Sequence, residues 1–69
     1  MDIKWKDGFK IKLCCQHDEI TLSAYREGLL SLADQLIALA NEPSGTHIHY
    51  DEHNSLEDNS VPLIIEKID

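Results

Sequence analysis

The sequence predicts one α+β domain in which a single long helix packs on one face of a four- or five-stranded, mostly antiparallel sheet. Three observations lead to this architecture. Apolar and polar residues alternate with period 2 near the start, a helical period follows to about residue 41, and alternation returns after Gly45. The predicted order over residues 1–69 is therefore β-β-(β)-α-β-β, with the third strand optional.

The N-terminal segment has the pattern of a β-hairpin. Apolar and charged residues alternate on both sides of the turn dipeptide Asp7-Gly8, which predicts two strands with one apolar and one lysine-rich face. After a polar turn at residues 16–19, Ile20 and Leu22 are placed to form a short third strand. The apolar face of the predicted hairpin holds Ile3, Trp5, Phe9, Ile11 and Leu13.

A helix is predicted from about Ser23 to Asn41, with Thr21 or Ser23 as its N-cap. Pro43, Ser44 and Gly45 end it and turn the chain back. One stripe of the helical wheel is apolar and is expected to pack on the sheet. The stripe consists of Tyr25, Leu29, Leu32, Ala33, Leu36, Leu39 and Ala40.

Leu30 and Ile37 widen this stripe beyond what one small sheet needs to cover. Two interpretations are open: the pair forms a partner or dimer surface, or a sheet edge or terminus covers it. Gly28 lies inside the helix at a cost of about 1 kcal/mol relative to Ala, which is tolerated if another segment packs close to it.

Two further strands are predicted on either side of an acidic loop. The first runs from His47 to Tyr50, with Ile48 and Tyr50 on the face opposite to the histidines. The loop covers residues 51–60 and the last strand covers residues 61–68.

Net charge and composition limit the classes of function that the chain can have. The formal net charge is −7, and the apolar and charged shares of 42% and 28% are those of a packed globular protein. Phosphate backbones repel such a chain, so we expect no nucleic-acid binding. An acidic surface either steers a basic partner or only keeps the protein soluble.

No signal peptide or membrane span is predicted, and we expect a cytoplasmic location.

The sequence predicts a protein that is not an enzyme. No nucleophile and base arrangement stands out, and no glycine-rich phosphate loop is present. The adjacent residues Cys14 and Cys15 are predicted to be reduced thiols, one on each face of a strand.

The segment HIHYDEH at residues 47–53 allows two interpretations. Side chains two apart on a strand share a face, so this spacing is compatible with a small zinc-binding module. The other interpretation is the polar outer face of an ordinary sheet. The candidate metal ligands are His47, His49, Asp51 and His53.

Two stretches carry a resemblance to a known family. The helix REGLLSLADQLIALAN, followed by THIHYDEHNSLEDNSVPLIIEKI, resembles the immunity protein 32 family over roughly Ala24 to Ile68. Members are small bacterial α+β proteins encoded beside polymorphic toxins, which they are thought to neutralise. The resemblance implies a non-enzymatic immunity protein that binds a cognate toxin, such as a nuclease, and blocks it by occlusion.

The acidic loop is the predicted contact surface, because a loop of this length between two strands commonly binds a partner. The alternative is a well-ordered structural loop in which Asn54 and Asp58 bond to their own backbone. A homodimeric structural protein is a further alternative function. The predicted partner-binding residues are Asp51, Glu52, His53, Asn54, Glu57 and Asp58.

Overall fold

Four strands and one helix make up the fold, so the predicted α+β class with a single helix is confirmed. The computed structural model describes residues 1–69. The elements in chain order are β1 (Ile11–Gln16), β2 (Glu19–Ala24), α1 (Arg26–Ala40), β3 (His47–Tyr50) and β4 (Leu63–Glu66).

The strands form two separate two-stranded antiparallel sheets, β1-β2 and β3-β4, so the prediction of one four- or five-stranded sheet was wrong. The reason is that the loop after β3 takes the free edge of β1. The N–H groups of Glu57 and Val61 donate to the carbonyl oxygens of Ile11 (2.8 Å) and Leu13 (2.9 Å). Ser60 Oγ accepts a bond of 3.2 Å from the Leu13 N–H. No further strand can therefore pair with this edge of β1.

The first hairpin lies further along the chain than predicted. Its turn is His17-Asp18, whose φ angles of 53° and 61° suit a tight two-residue hairpin loop. The dipeptide Asp7-Gly8 is also a turn, with Gly8 at φ 83°, but no strands flank it. The optional third strand at Ile20 and Leu22 is real and forms part of β2.

The N-terminal segment lies against α1 instead of pairing in a sheet. The Lys6 N–H donates to Ser31 Oγ (2.9 Å), and Gln35 Nε2 donates to the carbonyl oxygen of Lys4 (2.8 Å). Two helix side chains thus satisfy backbone groups that a strand partner would otherwise bond. Between these two bonds, the Trp5 ring stacks on Phe9 with ring centroids 4.5 Å apart.

Helix α1 begins later than predicted, and neither Thr21 nor Ser23 caps it. Both residues belong to β2, and the N-cap position is Tyr25, which makes no side-chain capping bond. The β1-β2 pairing continues into this residue, because the Tyr25 N–H donates to the carbonyl oxygen of Lys10 at 3.0 Å.

The buried face of α1 also differs from the predicted apolar stripe. Leu39 is buried as expected, but Tyr25, Leu29 and Leu36 are exposed. The physical reason is a close approach at Gly28, where a Cβ atom would lie 2.8 Å from Ile11 Cγ1 and 2.9 Å from the carbonyl oxygen of Lys10. The helix therefore turns one small and two polar residues inward with Leu39. The buried helix residues are Gly28, Ser31, Gln35 and Leu39.

The core lies between the two sheets, the helix and the loop, and each of these elements supplies buried apolar side chains. In β3 the burial alternates as predicted, with Ile48 and Tyr50 inside and the two histidines outside. The core residues are Ile11, Leu13, Leu39, Ile48, Tyr50 and Leu56.

Candidate partner-binding surface

The loop of residues 51–60 begins with a turn that Asp51 holds together. Asp51 Oδ1 accepts hydrogen bonds from the N–H groups of His53 (2.9 Å) and Asn54 (3.1 Å). Asn54 Oδ1 accepts from the Asp51 N–H (3.2 Å), and Asn54 Nδ2 donates to the carbonyl oxygen of His49 (3.0 Å). Such Asx turns favour one loop conformation at its first residues.

The second half of the loop is fixed by burial and by bonds to the hairpin. Leu56 and Ser60 are buried, and the bonds to β1 described above come from residues 57, 60 and 61. Glu52 Oε2 accepts a hydrogen bond of 2.8 Å from the Asn59 N–H, which joins the two halves. The loop is thus an ordered platform with exposed side chains.

The structure divides the six predicted partner-binding residues into two groups. Asp51 and Asn54 use their side chains to hold the loop, and Glu52 does so in part. The side chains of His53, Glu57 and Asp58 are exposed and make no hydrogen bond within the protein. Asn54 bonds to backbone as the structural interpretation predicts, whereas Asp58 does not.

A groove of about 780 Å³ lies between this loop and the base of the β1-β2 hairpin. Three of the predicted carboxylates, those of Glu52, Glu57 and Asp58, line it. Two lysine side chains and a tyrosine ring from the base of the hairpin also line it. Their distance along the chain leaves no sequence signal for this proximity. The remaining lining residues are Lys10, Lys12, Ser23, Ala24, Tyr25 and Leu56.

Lys10 partly neutralises the acidic side of the groove. Its Nζ lies 3.9 Å from Glu57 Oε1 and 5.1 Å from the centroid of the Tyr25 ring. Both side chains of the ion pair are about half exposed, so solvent screens the attraction and the pair is worth roughly 1 kcal/mol or less. A partner can replace this weak pair at little cost.

The four candidate metal ligands do not meet at one centre. The rings of His47 and His49 are neighbours, with centroids 4.9 Å apart, and His47 Nδ1 lies 3.0 Å from the carbonyl oxygen of Gly45. The carboxylate of Asp51 is turned into the loop, where it accepts the bond from the His53 backbone. No group of three or more His, Cys, Asp or Glu side chains is placed to hold a metal ion.

Leu30 and Ile37 lie on the solvent side of α1, with 36% and 64% of their surfaces exposed. No sheet edge or terminus covers Ile37, so its place in a self-association surface stays a prediction. Cys14 and Cys15 are free thiols in β1, the first half-buried and the second exposed.

Burial raises the pKa of the Tyr50 hydroxyl above its usual value of 10.0. This hydroxyl donates a hydrogen bond of 2.8 Å to Gln35 Oε1 in the core. This bond ties β3, the strand that leads into the loop, to helix α1.

Helix α1 does not have the length and apolar character that a membrane crossing requires. Comparisons with curated proteins and with solved structures found no match. The family model of immunity protein 32 matches residues 19–68, which include β2, the helix, the acidic loop and both strands of the second sheet. The match spans well over half of the 69 residues, and the chain therefore belongs to the immunity protein 32 family.

Proposed function

We propose that the chain neutralises a cognate toxin by occlusion, with the acidic loop of residues 51–60 as its contact surface. Membership of the immunity protein 32 family supports a toxin-neutralising role in general. This role requires binding only, and no catalytic step by this chain. The encounter would take place in the cytoplasm of the bacterium that produces both proteins.

One observation supports the choice of this surface: its carboxylates are exposed, and hydrogen bonds fix the backbone of the loop that bears them. Glu57 and Asp58 project from a backbone segment that bonds to β1, so the backbone that bears them is ordered before a partner arrives. A pre-ordered loop loses little conformational entropy on binding, which favours affinity. Net negative charge on the chain then steers a basic partner towards it.

A nuclease is the toxin class that fits this surface best. The site that grips a phosphate backbone must be rich in Lys and Arg. An acidic loop can cover such a site and compete with the nucleic acid for its cations. The groove beside the loop, with Glu52 and Asp58 at its wall, has room for a basic side chain of the toxin.

The test uses the toxin domain encoded beside this chain and a charge-reversed pair, Glu57→Lys with Asp58→Lys. We expect the association rate with the toxin to fall about tenfold or more at low salt, while the unfolding midpoint changes little. The matched control is Glu66→Lys with Asp69→Lys, which makes the same change in net charge at two exposed residues outside the loop.

Growth of cells that express the toxin gives the second measurement. The wild-type chain and the control should restore growth, and the loop variant should restore it poorly. Equal association rates for both variants would show that another surface makes the contact. Absence of both binding and growth rescue by the wild-type chain would refute the toxin-neutralising role itself.

A further inference from the structure

The outer edge of β2 is a strand edge without the usual protection. β2 pairs only with β1, so the backbone groups on its other side have no strand partner. Soluble proteins usually shield such an edge with Lys, Pro, a bulge or a covering segment. The six residues Glu19–Ala24 contain neither Lys nor Pro, the register with β1 is unbroken, and the single charge is Glu19 at the first position.

The register of the hairpin determines which backbone groups point outward. Gln16 and Glu19 flank the two-residue turn, so they form a hydrogen-bonded pair. Lys10 and Tyr25, six residues further along each strand, are also a hydrogen-bonded pair, because the Tyr25 N–H donates to the carbonyl oxygen of Lys10. Hydrogen-bonded positions alternate along an antiparallel pair, and the N–H and C=O groups of Ile20 and Leu22 therefore point away from β1.

The side chains of these two residues are apolar and uncovered. Leu22 lies opposite Leu13 and Ile20 opposite Cys15 in the register, so Ile20 and Leu22 are on the same sheet face as Ile11 and Leu13, which are buried in the core. Yet Ile20 is 64% exposed and Leu22 is 37% exposed. The apolar face of the hairpin thus continues beyond the part that the core covers.

We propose that this edge binds a second copy of the same chain, with the two β2 strands antiparallel about a twofold axis at Thr21. In this register Ile20 of each copy lies opposite Leu22 of the other copy. Ile20 and Leu22 are also the residues whose backbone groups point outward. Apolar side chains then meet on one face, and the interface is self-complementary. The result is a continuous four-stranded sheet with the order β1-β2-β2-β1.

Local charge does not oppose a second copy at this edge, although each chain carries −7. Glu19 of one copy lies opposite Ser23 of the other, so no like charges face each other across the strands. The dimer would join the two hairpins into a four-stranded sheet, and a sheet of three or more strands with an apolar face is more stable than a two-stranded ribbon. The remaining repulsion between the copies is long-range, so added salt should strengthen the dimer. This is the opposite of the salt dependence expected for toxin binding through the acidic loop.

The first test is the mass in solution, measured by analytical ultracentrifugation from about 10 µM to about 1 mM, a range suited to a modest interface. We expect twice 7.8 kDa at the upper end for the wild-type chain. Ile20→Lys should weaken the dimer about tenfold or more, because it removes two apolar cross-strand contacts and adds two like charges near the axis.

The chain offers a matched control in Ile37→Lys. Ile37 has the same side chain and the same exposed fraction, 64%, but lies on α1. Its substitution should leave the dimer intact. Dissociation by Ile37→Lys with no effect of Ile20→Lys would overturn the proposal in favour of the helix face.

Amide hydrogen exchange tests the backbone pairing directly. In the dimer the N–H groups of Ile20 and Leu22 should be protected, and their protection should fall on dilution, whereas those of Thr21 and Ser23 stay protected through their bonds to β1. A mass of 7.8 kDa at all concentrations, with Ile20 and Leu22 unprotected, would overturn the proposal. Protection of these two groups only after the toxin is added would overturn it as well, and would assign the edge to a strand of the toxin.

Discussion

The hydroxyl group of Tyr50 donates a hydrogen bond of 2.8 Å to Oε1 of Gln35, which joins β3 to α1 inside the core. Gln35 also donates from Nε2 to the carbonyl oxygen of Lys4 at 2.8 Å. One buried amide therefore connects the N-terminal segment, the helix and the strand that leads into the acidic loop. Tyr50 is 2% exposed and Gln35 is 3% exposed, so water cannot replace either partner.

Replacement of Gln35 by Leu should lower the free energy of unfolding by about 2–3 kcal/mol, because it leaves a buried hydroxyl and a backbone carbonyl without partners. Urea unfolding measures the change. In a double-mutant cycle, Gln35→Leu with Tyr50→Phe should cost less than the two single changes together, since the double variant leaves fewer unpaired groups. Strict additivity would mean that the two side chains do not interact energetically.

Stability should fall with pH above about 10 because of Tyr50. Burial raises the pKa of Tyr50 in the folded protein above its usual value of 10.0. Between the two pKa values the unfolded chain loses the proton first, so the folded state binds more protons and stability decreases as pH rises. The contribution is fully present below the unfolded pKa. Tyr50→Phe should show a shallower decline in chemical denaturation across this range, and parallel curves would contradict the assignment.

Gly28→Ala should destabilise the protein although Ala is the better helix former. The added methyl group would lie 2.8 Å from Ile11 Cγ1 and 2.9 Å from the carbonyl oxygen of Lys10, and a backbone atom cannot move aside cheaply. We expect a loss of about 1–3 kcal/mol from overpacking. The control is Ala33→Gly at an exposed helix position, which should cost about 1 kcal/mol through propensity alone. An increase in thermal midpoint for Gly28→Ala would show that helix and hairpin separate easily.

Asp51→Ala should loosen the acidic loop. It removes the acceptor for the N–H groups of His53 and Asn54 and should cost about 1–2 kcal/mol, as the loss of a capping side chain does. If the loop contacts the toxin, the complex should also dissociate faster, because ordering must then be supplied on binding. Asp58→Ala removes an equal charge without a structural bond and should leave the thermal midpoint unchanged. Equal midpoints for the two variants would mean that the turn holds without Asp51.

Dialysis against EDTA, and addition of zinc afterwards, should leave the thermal midpoint unchanged. His47 and His49 are adjacent, but no third ligand side chain joins them. A bound structural metal would contribute folding free energy and raise the midpoint. A stoichiometric rise with zinc that His49→Ala abolishes would revive the metal-binding interpretation.

Local sequence patterns predict most elements of the second half of the chain. The alternation at Ile48 and Tyr50 predicts β3 and its buried face. Gly45, at φ 90°, lies in the turn that is predicted to follow the helix. Leu63–Glu66 lies inside the predicted last strand. These features depend on neighbouring residues, so a local pattern contains the information. The order of the loop is only partly predictable from the sequence. An Asx turn at Asp51 depends on neighbouring residues, whereas the docking of the loop on β1 depends on distant ones.

In the first half the alternation is nearly continuous and contains two possible turns, so the local pattern does not determine where the hairpin closes. Asp7-Gly8 is the stronger turn signal by composition, yet the hairpin closes at His17-Asp18, where both residues adopt positive φ. The choice depends on what pairs with the N-terminal residues. Ser31 and Gln35 bind that segment from the helix, and no short-range pattern reports such a contact.

The sequence by itself determined the α+β class, the single helix, the acidic loop and the family resemblance, because hydrophobic period, turn residues and charge are properties of short segments. Tertiary structure decided which face of the helix is buried, how the strands divide into two sheets, and which carboxylates share a groove with Lys10 and Lys12. The physical reason is that these features depend on close packing at Gly28 and on backbone hydrogen bonds between distant residues, such as Glu57 with Ile11. Such bonds form only when the whole chain has folded.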